Sequence, residues 1–514
     1  MERTIRAIIV FNFGWFMVGT AQNADFWNRQ ASQTLEKAIN LQNLNENVAK
    51  NIIIFIGDGM GIPTVTAARI LQGQKIGKSG EEHVLSWEMF PHVGLSKTYN
   101  IDSQTPDSAG TATAYLCGTK TNRGVIGQDG RAKRSNCLSS YGSDVDSILK
   151  LAKDAGKSVG IVTTTRLTHA TPSALYAHVP ERNWECDADI PDEESGLGCK
   201  DIALQFVENI DIDVALAGGR GKFLGDNMRD PEHDLLPGQR KDRRNLIKEW
   251  IDSKPPESTT HYVWNQADFD EINPEETDHL LGLFDYGSMN YESFRFNDTA
   301  GEPSIAEMTE KAIRILKKND KGFFLLVEGN TYGRSRKNLL KFNHHFMKLF
   351  LLFSPSLSLL IIYIFDCKVD GAVGLDGLPY TTLSYANGPG GIVTLAGFTI
   401  FGRRLDPGNI TESKIYIQQA LVPRFTGSHG GEDVSIYAEG PMAHLLHGVH
   451  EQNYIMHVMK YAACLGDNTN HCNERDVRTF NKYAGPTGRS ASKRPSLFVV
   501  IFLFIFVCHF QDVH

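Results

Sequence analysis

The sequence predicts an α/β fold, a three-layer sandwich whose large, mostly parallel central sheet is flanked by helices. Three observations lead to it. The apolar runs Asn51-Ile-Ile-Ile-Phe-Ile56, Ser158-Val-Gly-Ile-Val162 and Phe323-Phe-Leu-Leu-Val327 lack polar alternation and read as strands buried on both faces. The second and third follow helix-like stretches, 146–155 and 305–318, and apolar strands alternating with amphipathic helices indicate a parallel sheet. The chain has 514 residues, 41% hydrophobic and 22% charged, a globular composition with enough apolar material for one large core. In such sheets chemistry collects beyond the carboxyl ends of the strands. Asp58, the Thr163-Thr-Thr-Arg166 turn and Glu328 all fall there.

Composition narrows the function. With 52 Lys+Arg against 60 Asp+Glu the net charge is −8, and no basic domain or stripe marks a nucleic-acid binder. The apolar residues Ile5 to Val18 follow Arg3 and Arg6 and end at Gly19, Thr20 and Ala21, the layout of a secretory signal peptide over residues 1–21. A second run, Leu497 to Cys508, lies behind Lys493, Arg494 and Pro495 and is short for a membrane span of about 20 residues. After the small residues Gly488, Ser490, Ala491 and Ser492 it fits a lipid-anchor signal, so residues 484–514 are expected to be a GPI-type attachment signal whose tail is removed; a tail-anchored helix is the alternative. Eight cysteines in a secreted chain imply a few disulfides, with Cys464 and Cys472 closing a short loop and Cys137 and Cys199 a long one. Sequons at Asn297 and Asn409 fit the same compartment as glycosylation sites.

The candidate chemistry is distributed. Asp58, in Gly57-Asp-Gly59 after a buried strand, is either a turn former or a metal ligand. In Thr105-Pro-Asp-Ser-Ala-Gly110 a helix is expected to start, placing Ser108 in a first turn whose free N–H groups favour an anion, although Asp and Ser also serve as simple caps. No Gly-x-Ser-x-Gly elbow supports a Ser-His-Asp hydrolase, and a serine without a histidine base can be activated by a divalent metal. His169 and Thr171 are read as lying on one side of an extended segment, suited to a hard cation such as Mg²⁺, and Arg182 suits a bidentate phosphate clamp. Glu328 ends an apolar strand, and His429 sits in the glycine-rich Gly427-Ser-His-Gly-Gly431. His444, His447 and His450 lack carboxylate partners and read as packing or surface residues.

Together Asn51-Ile-Ile-Ile-Phe-Ile-Gly-Asp-Gly-Met-Gly61, Pro106-Asp-Ser108, Thr113-Ala-Tyr-Leu-Cys-Gly118, His169-Ala-Thr171, Arg182-Asn-Trp184 and His429-Gly-Gly-Glu-Asp433 resemble the animal alkaline phosphatases. The resemblance covers most of residues 45–329 and 375–475 and implies a dimeric phosphomonoesterase with two Zn²⁺ and one Mg²⁺. It implies Ser108 as the nucleophile that forms a phosphoserine and Arg182 as the holder of the phosphate oxygens. Asp58 would bridge Zn²⁺ and Mg²⁺, Thr171 and Glu328 would ligate Mg²⁺ with His169 beside it, and His429 would ligate Zn²⁺. Glu232, the Phe284 carbonyl, Asp285 and Glu302 align with a peripheral Ca²⁺ site. The implied location is the outer face of the plasma membrane, on a lipid anchor.

After Val327-Glu-Gly329 the pattern breaks. The family continues with Gly-Arg-Ile-Asp-His and later a strand ending in Ala-Asp-His, which supply an Asp and a His to each zinc; here Asn330-Thr-Tyr-Gly-Arg334 follows, then the apolar run Leu349 to Phe365 with Pro355 inside it. Residues 330–374 are therefore read as an atypical insert, a retained intron or gene-model error, between two parts of one domain, 22–329 and 375–483. Without those ligands the chain is expected to have a damaged bimetal centre and little activity. The competing reading is a catalytically silent surface-binding protein on the same scaffold. A metal-dependent sulfatase is disfavoured, because Asp107-Ser-Ala-Gly110 lacks the Cys/Ser-x-Pro-x-Arg context.

Overall fold

The computed structural model describes residues 24–40, 44–292, 294–329, 368–373, 379–381, 385–388, 420–423, 428–466, 469, 472 and 498–505. The expected signal peptide, the insert's apolar run and Asn409 lie outside the described residues. Residues 1–44 form one unit, which contains the helix Ala24–Asn40; residues 45–514 form the other.

Among the described residues the strands of the large unit are β1 (Asn51–Asp58), β2 (His92–Lys97), β3 (Ser158–Arg166), β4 (Val214–Gly218), β5 (Thr260–Val263), β6 (His279–Leu283), β7 (Phe323–Gly329), β8 (Lys368–Val373), β9 (Pro379–Thr381), β10 (Tyr385–Gly388), β11 (Ala420–Pro423), β12 (Val434–Glu439), β13 (Gly448–Glu451) and β14 (Phe498–Ile505). Ten of them form one sheet in the order β13-β2-β12-β14-β1-β7-β3-β4-β6-β5. Six consecutive strands, from β1 to β5 in that order, pair in parallel. β12 runs antiparallel to both of its neighbours. Pairs β8-β9 and β10-β11 stand apart as two-stranded ladders.

The expected α/β class is the observed one. All residues of β1, β4, β6 and β7 are buried, as unbroken apolar runs require when helices cover both faces. One apolar cluster gathers alternate residues Ile52, Ile54 and Ile56 with the Ser108–Cys117 helix, and the other gathers Ile53 and Phe55 with the Ile305–Leu316 helix. The period-2 alternation of β1 thus divides its side chains between the two helical layers. The predicted helices 146–155 and 305–318 are observed as Ile148–Asp154, capped by Ser147, and Ile305–Leu316, capped by the reciprocal Ser304–Glu307 box. Both expected disulfides are present, Cys137–Cys199 and Cys464–Cys472. Asn297 is solvent exposed at the end of a single 3₁₀ turn.

One packing feature joins residues far apart in sequence. His92 Nδ1 at the start of β2 lies 2.9 Å from His447 Nε2, and the His92 ring centroid is 6.2 Å from that of His444. Burial, then repulsion from His447 and His444, pushes the His92 imidazole from 6.5 down to about 4. Between those values the folded chain binds fewer protons at His92 than the unfolded chain. The contribution to stability is therefore fully present above pH 6.5 and is lost as pH falls toward 4. His92→Phe is expected to flatten the acid limb of a stability–pH profile over that window by on the order of 1–2 kcal/mol. Parallel profiles for the two proteins in denaturant titrations would contradict this.

Candidate active site and metal centre

The site forms where β1, β3 and β7 end together. In register Ile56 faces Glu328, and Glu328 faces Thr163, so Asp58 and Glu328 emerge from the same edge of the sheet. Gly59, with φ 76°, turns the chain sharply after Asp58, a conformation that favours glycine. Asp58, His169 and Glu328 converge there, each offering a ligand atom within 4.8 Å of the others, and all three are buried. Thr163 Oγ1 donates to Glu328 Oε2 at 2.6 Å and Thr165 Oγ1 at 3.3 Å, while Glu328 Oε1 has no hydrogen-bond partner. Burial, reinforced by Glu328, holds the Asp58 carboxyl well above its usual range. Burial likewise raises Glu328, against the hydrogen bonds from Thr163, Thr171 and Thr165 that favour its charged form. Two buried carboxylates that repel each other, with a free oxygen lone-pair face and a threonine hydroxyl nearby, form a donor set that a hard divalent cation satisfies.

The extended segment expected for His169 and Thr171 is not what forms. His169 caps a short helix, Ala170–Ser173, and Thr171 lies inside it. The cause is local: the Ser173 amide and hydroxyl both bond the His169 carbonyl, at 3.1 and 2.8 Å, closing a helical turn directly after β3. The turn still delivers His169 to the cluster, from a helix start instead of a strand face.

Ser108 begins the helix Ser108–Cys117, as expected, with Asp107 as its N-cap. Asp107 is more than a cap. Its Oδ1 accepts from the Gly110 and Gly124 amides at 3.2 and 3.0 Å and from Asn100 Nδ2 at 2.9 Å. A Cβ on Gly110 would come within 2.5 Å of the Asn100 side chain, so glycine makes room for this approach. Arg182 Nη1 donates to Asp107 Oδ2 at 3.0 Å, and its Nη2 lies 3.0 Å from His169 Nε2. Burial opposes ionisation of Asp107, but Arg182 and the two amides outweigh it and hold the carboxyl below its usual range. The Ser108 hydroxyl is buried without a hydrogen-bond partner at a helix start where free N–H groups favour an anion.

His429 is half-buried on the loop before β12, which packs against the 104–105 turn; a Cβ on Gly431 would sit 3.1 Å from the Gln104 carbonyl. Its Nε2 has no hydrogen-bond partner, and burial, then Arg182, pushes the imidazole down to about 4. A neutral imidazole with a free nitrogen is a competent metal donor. Among the described residues no further His, Cys, Asp or Glu joins His429 in a close three-donor group. The residues in place therefore fit one hard cation at Asp58, Thr171 and Glu328, whereas among the described residues no four-donor group of the zinc type is complete around His429.

The residues expected at a peripheral site lie among a separate set of acidic side chains. Arg220, fully buried, binds Asp230 through Nε at 2.6 Å and Glu232 through Nη2 at 2.8 Å, and Asp230, Glu232 and His233 converge within 4.8 Å. Glu302 accepts from the Asn290 amide at 2.7 Å through one oxygen, and its other oxygen has no partner. Burial, then Asp285, pushes its carboxyl up to about 8, and Asp285 is also raised, by burial. The Phe284 side chain is buried at the end of β6. An orphaned carboxylate oxygen among repelling acids fits a hard cation such as Ca²⁺.

The sequence placed the Thr163-Thr-Thr-Arg166 turn at the strand ends without giving Thr163 or Thr165 a role, and read Asp107 only as a cap. Asn100 carried no signal, because it meets Asp107 from a loop before the helix.

Comparison with known proteins follows this geometry. The sequence profile described as Alkaline phosphatase matches residues 49–337 and 364–465. The chain is 46% identical over 474 residues to the alkaline phosphatase of Gadus morhua, covering 86% of this chain and 98% of that protein. It is 46% identical over 488 residues to the tissue-nonspecific isozyme of Rattus norvegicus, covering 89% and 92%. The human isozyme is 45% identical over 479 residues, covering 87% and 90%. Among solved structures, the alkaline phosphatase of the Antarctic bacterium TAB5 superposes with a TM-score of 0.52 at 19% identity, covering 82% of this chain and 100% of that one. The cold-active enzyme of a Shewanella species gives 0.52 at 20% identity, covering 80% and 99%; both likenesses speak for the fold alone.

Proposed function

The chain belongs to the alkaline phosphatase family, metal-dependent phosphomonoesterases that use zinc and magnesium, and from that premise we propose that its site is built to hydrolyse phosphate monoesters through Ser108. The observation that carries the reading is Arg182, which bonds both the cap of the Ser108 helix and the His169 of the carboxylate cluster. A guanidinium is a planar fork of N–H donors that matches phosphate oxygens, and Arg182 presents it beside the helix start. Ser108 Oγ gives its proton to solvent as it attacks phosphorus, the bond to the alcohol oxygen breaks, and the departing oxygen takes a proton from solvent. Water then attacks the phosphoserine and loses a proton to solvent, the P–Oγ bond breaks, Ser108 Oγ regains a proton and phosphate is released. Asp107 fixes Arg182 throughout. Magnesium held by Asp58, Thr171 and Glu328, and zinc held by His429, Asp58 and Ser108, would supply positive charge to the attacking and leaving oxygens.

The shortfall of donors around His429 supports a second reading of this particular polypeptide, a catalytically silent surface-binding protein on the same scaffold. The test is hydrolysis of a chromogenic phosphate ester at alkaline pH with added Zn²⁺ and Mg²⁺. Turnover is expected to be low, to rise by about 10³-fold when the family segment replaces residues 330–374, and to vanish again in that protein on Ser108→Ala. Robust turnover by the chain as it stands would sink the silent-scaffold reading. Failure of the repaired chain, with phosphoserine absent, would sink the phosphatase reading.

The finer setting belongs to the same proposal: a homodimer on the extracellular face of the plasma membrane, glycosylated at Asn297 and Asn409, with Ca²⁺ at Glu232, Phe284, Asp285 and Glu302. Among the described residues no helix is long and apolar enough to cross a membrane. A GPI-type lipid would hold the chain there after removal of the apolar tail.

A further inference from the structure

We propose that Arg123 is a specificity residue of the candidate site, whose guanidinium binds a second anionic group carried by the alcohol portion of a phosphate monoester. The inference rests on the reading of Ser108 and Arg182 as the place where the phosphate is held, and it names the class of ester that this chain prefers.

Arg123 stands in a turn that the site itself pins. The Val125 amide donates to the Asn122 carbonyl at 3.2 Å, and Gly124, with φ 81°, supplies the left-handed residue that such a turn requires. The Arg123 amide donates to Asp102 Oδ1 at 2.8 Å. The Gly124 amide donates to Asp107 Oδ1 at 3.0 Å, and the Gly124 carbonyl accepts from the Arg182 amide at 2.9 Å. The residue next to Arg123 thus touches both the cap of the Ser108 helix and the backbone of Arg182, so the Arg123 side chain leaves a fixed mount beside the site.

That side chain is half-buried, and its Nε is buried without a hydrogen-bond partner. Among the described residues no carboxylate forms an ion pair with it, whereas Arg182 is paired with Asp107. An arginine that served only solubility would keep its nitrogens in water. A buried donor without an acceptor is costly, and a guanidinium fork fits the oxygens of a carboxylate or phosphate. The Arg123 charge also reaches the catalytic loop: after burial and Arg182, it adds to the lowering of the His429 imidazole. Two guanidiniums therefore bear on one site, and only one has a counter-ion from the protein. A phosphate beside the buried Ser108 is provided for by Arg182. The alcohol portion of the ester must then extend toward the solvent side, where the half-buried Arg123 stands.

The test is calorimetric titration of the full chain, with Mg²⁺ and Zn²⁺ present, using benzylphosphonate and para-carboxybenzylphosphonate, whose P–C bonds are not hydrolysed. The carboxylated probe is expected to bind about tenfold more tightly. In Arg123→Gln the two affinities should come within about twofold of each other, and in Arg123→Lys, which keeps the charge and loses the fork, the preference should shrink to about threefold. Equal binding of the two probes by the parent would overturn the inference and leave the reading of Ser108 and Arg182 standing. A tenfold preference that persists in Arg123→Gln would do the same, and so would an undiminished preference in Arg123→Lys, which decides the matter if the glutamine variant does not fold. Binding of neither probe by the parent would overturn both readings.

Discussion

Replacing Glu328 with glutamine is expected to stabilise the metal-free protein and at the same time to abolish its stabilisation by Mg²⁺. Glu328 is fully buried, one of its oxygens has no hydrogen-bond partner, and it shares a close cluster with buried Asp58. Both carboxyls are raised, Asp58 by burial and by Glu328, and Glu328 chiefly by burial. A carboxyl raised in the fold binds protons more readily there than in the unfolded chain, so above the ordinary carboxylate range each of these groups destabilises the native state. Glutamine keeps the size, accepts from Thr163, and can donate to Asp58. A gain of about 1–2 kcal/mol at neutral pH is the expected scale. For the parent, Mg²⁺ at a hundredfold excess over its Kd adds about 2.7 kcal/mol, and the variant should gain almost none of it. Denaturant titrations with and without Mg²⁺ separate the two effects. A Mg²⁺ response preserved in Glu328→Gln would show that the cluster is not the binding site.

The parts of this centre that could be read in the sequence are those whose signal is local. β1, β3 and β7 were legible because strands covered on both faces must be apolar throughout, and Asp58 and Glu328 followed as the first polar residues past their ends. Ser108 was legible because Pro, Asp and Ser announce a helix start, and the pairs Cys137–Cys199 and Cys464–Cys472 formed as expected. The conformation around His169 was misjudged, since Thr-His-Ala-Thr-Pro-Ser has no apolar period, and the decision between strand and helix there rests on two bonds from Ser173.

What stayed hidden depends on contacts between distant segments. Nothing near His92 in sequence shows that it meets His447, 355 positions away. Of the three C-terminal histidines read as packing or surface residues, His444 and His447 pack against His92, and His450 stacks on Tyr454. The apolar tail illustrates a different limit. Eight successive apolar residues satisfy the requirements of a cleaved signal and of a strand in a closed slot equally well, because both demand only that water be avoided. Composition alone settles neither.

The second large effect concerns Asp107, where Asp107→Ala is expected to cost about 3–5 kcal/mol, far more than loss of a helix cap at about 1 kcal/mol. The difference comes from Arg182. Its guanidinium is only 6% exposed and has Asp107 as its salt-bridge partner. Alanine would leave that charge buried against His169, with the Gly110 and Gly124 amides and Asn100 Nδ2 losing an acceptor as well. Arg182→Ala should be milder, because Asp107 keeps those three donors. In the double variant both members of the salt bridge are gone, so its cost should fall below the sum of the single costs by about 2 kcal/mol or more. Urea midpoints of the four proteins complete the cycle. Asp107→Asn adds a pH criterion. The Asp107 carboxyl lies below its usual range in the fold, so its stabilisation is present above the ordinary aspartate value and is lost as pH falls through the depressed one. That acid limb should disappear in the asparagine variant. Additive costs with an unchanged acid limb would mean that Asp107 acts only as a cap, and Arg182 would then need another anchor to hold phosphate beside Ser108.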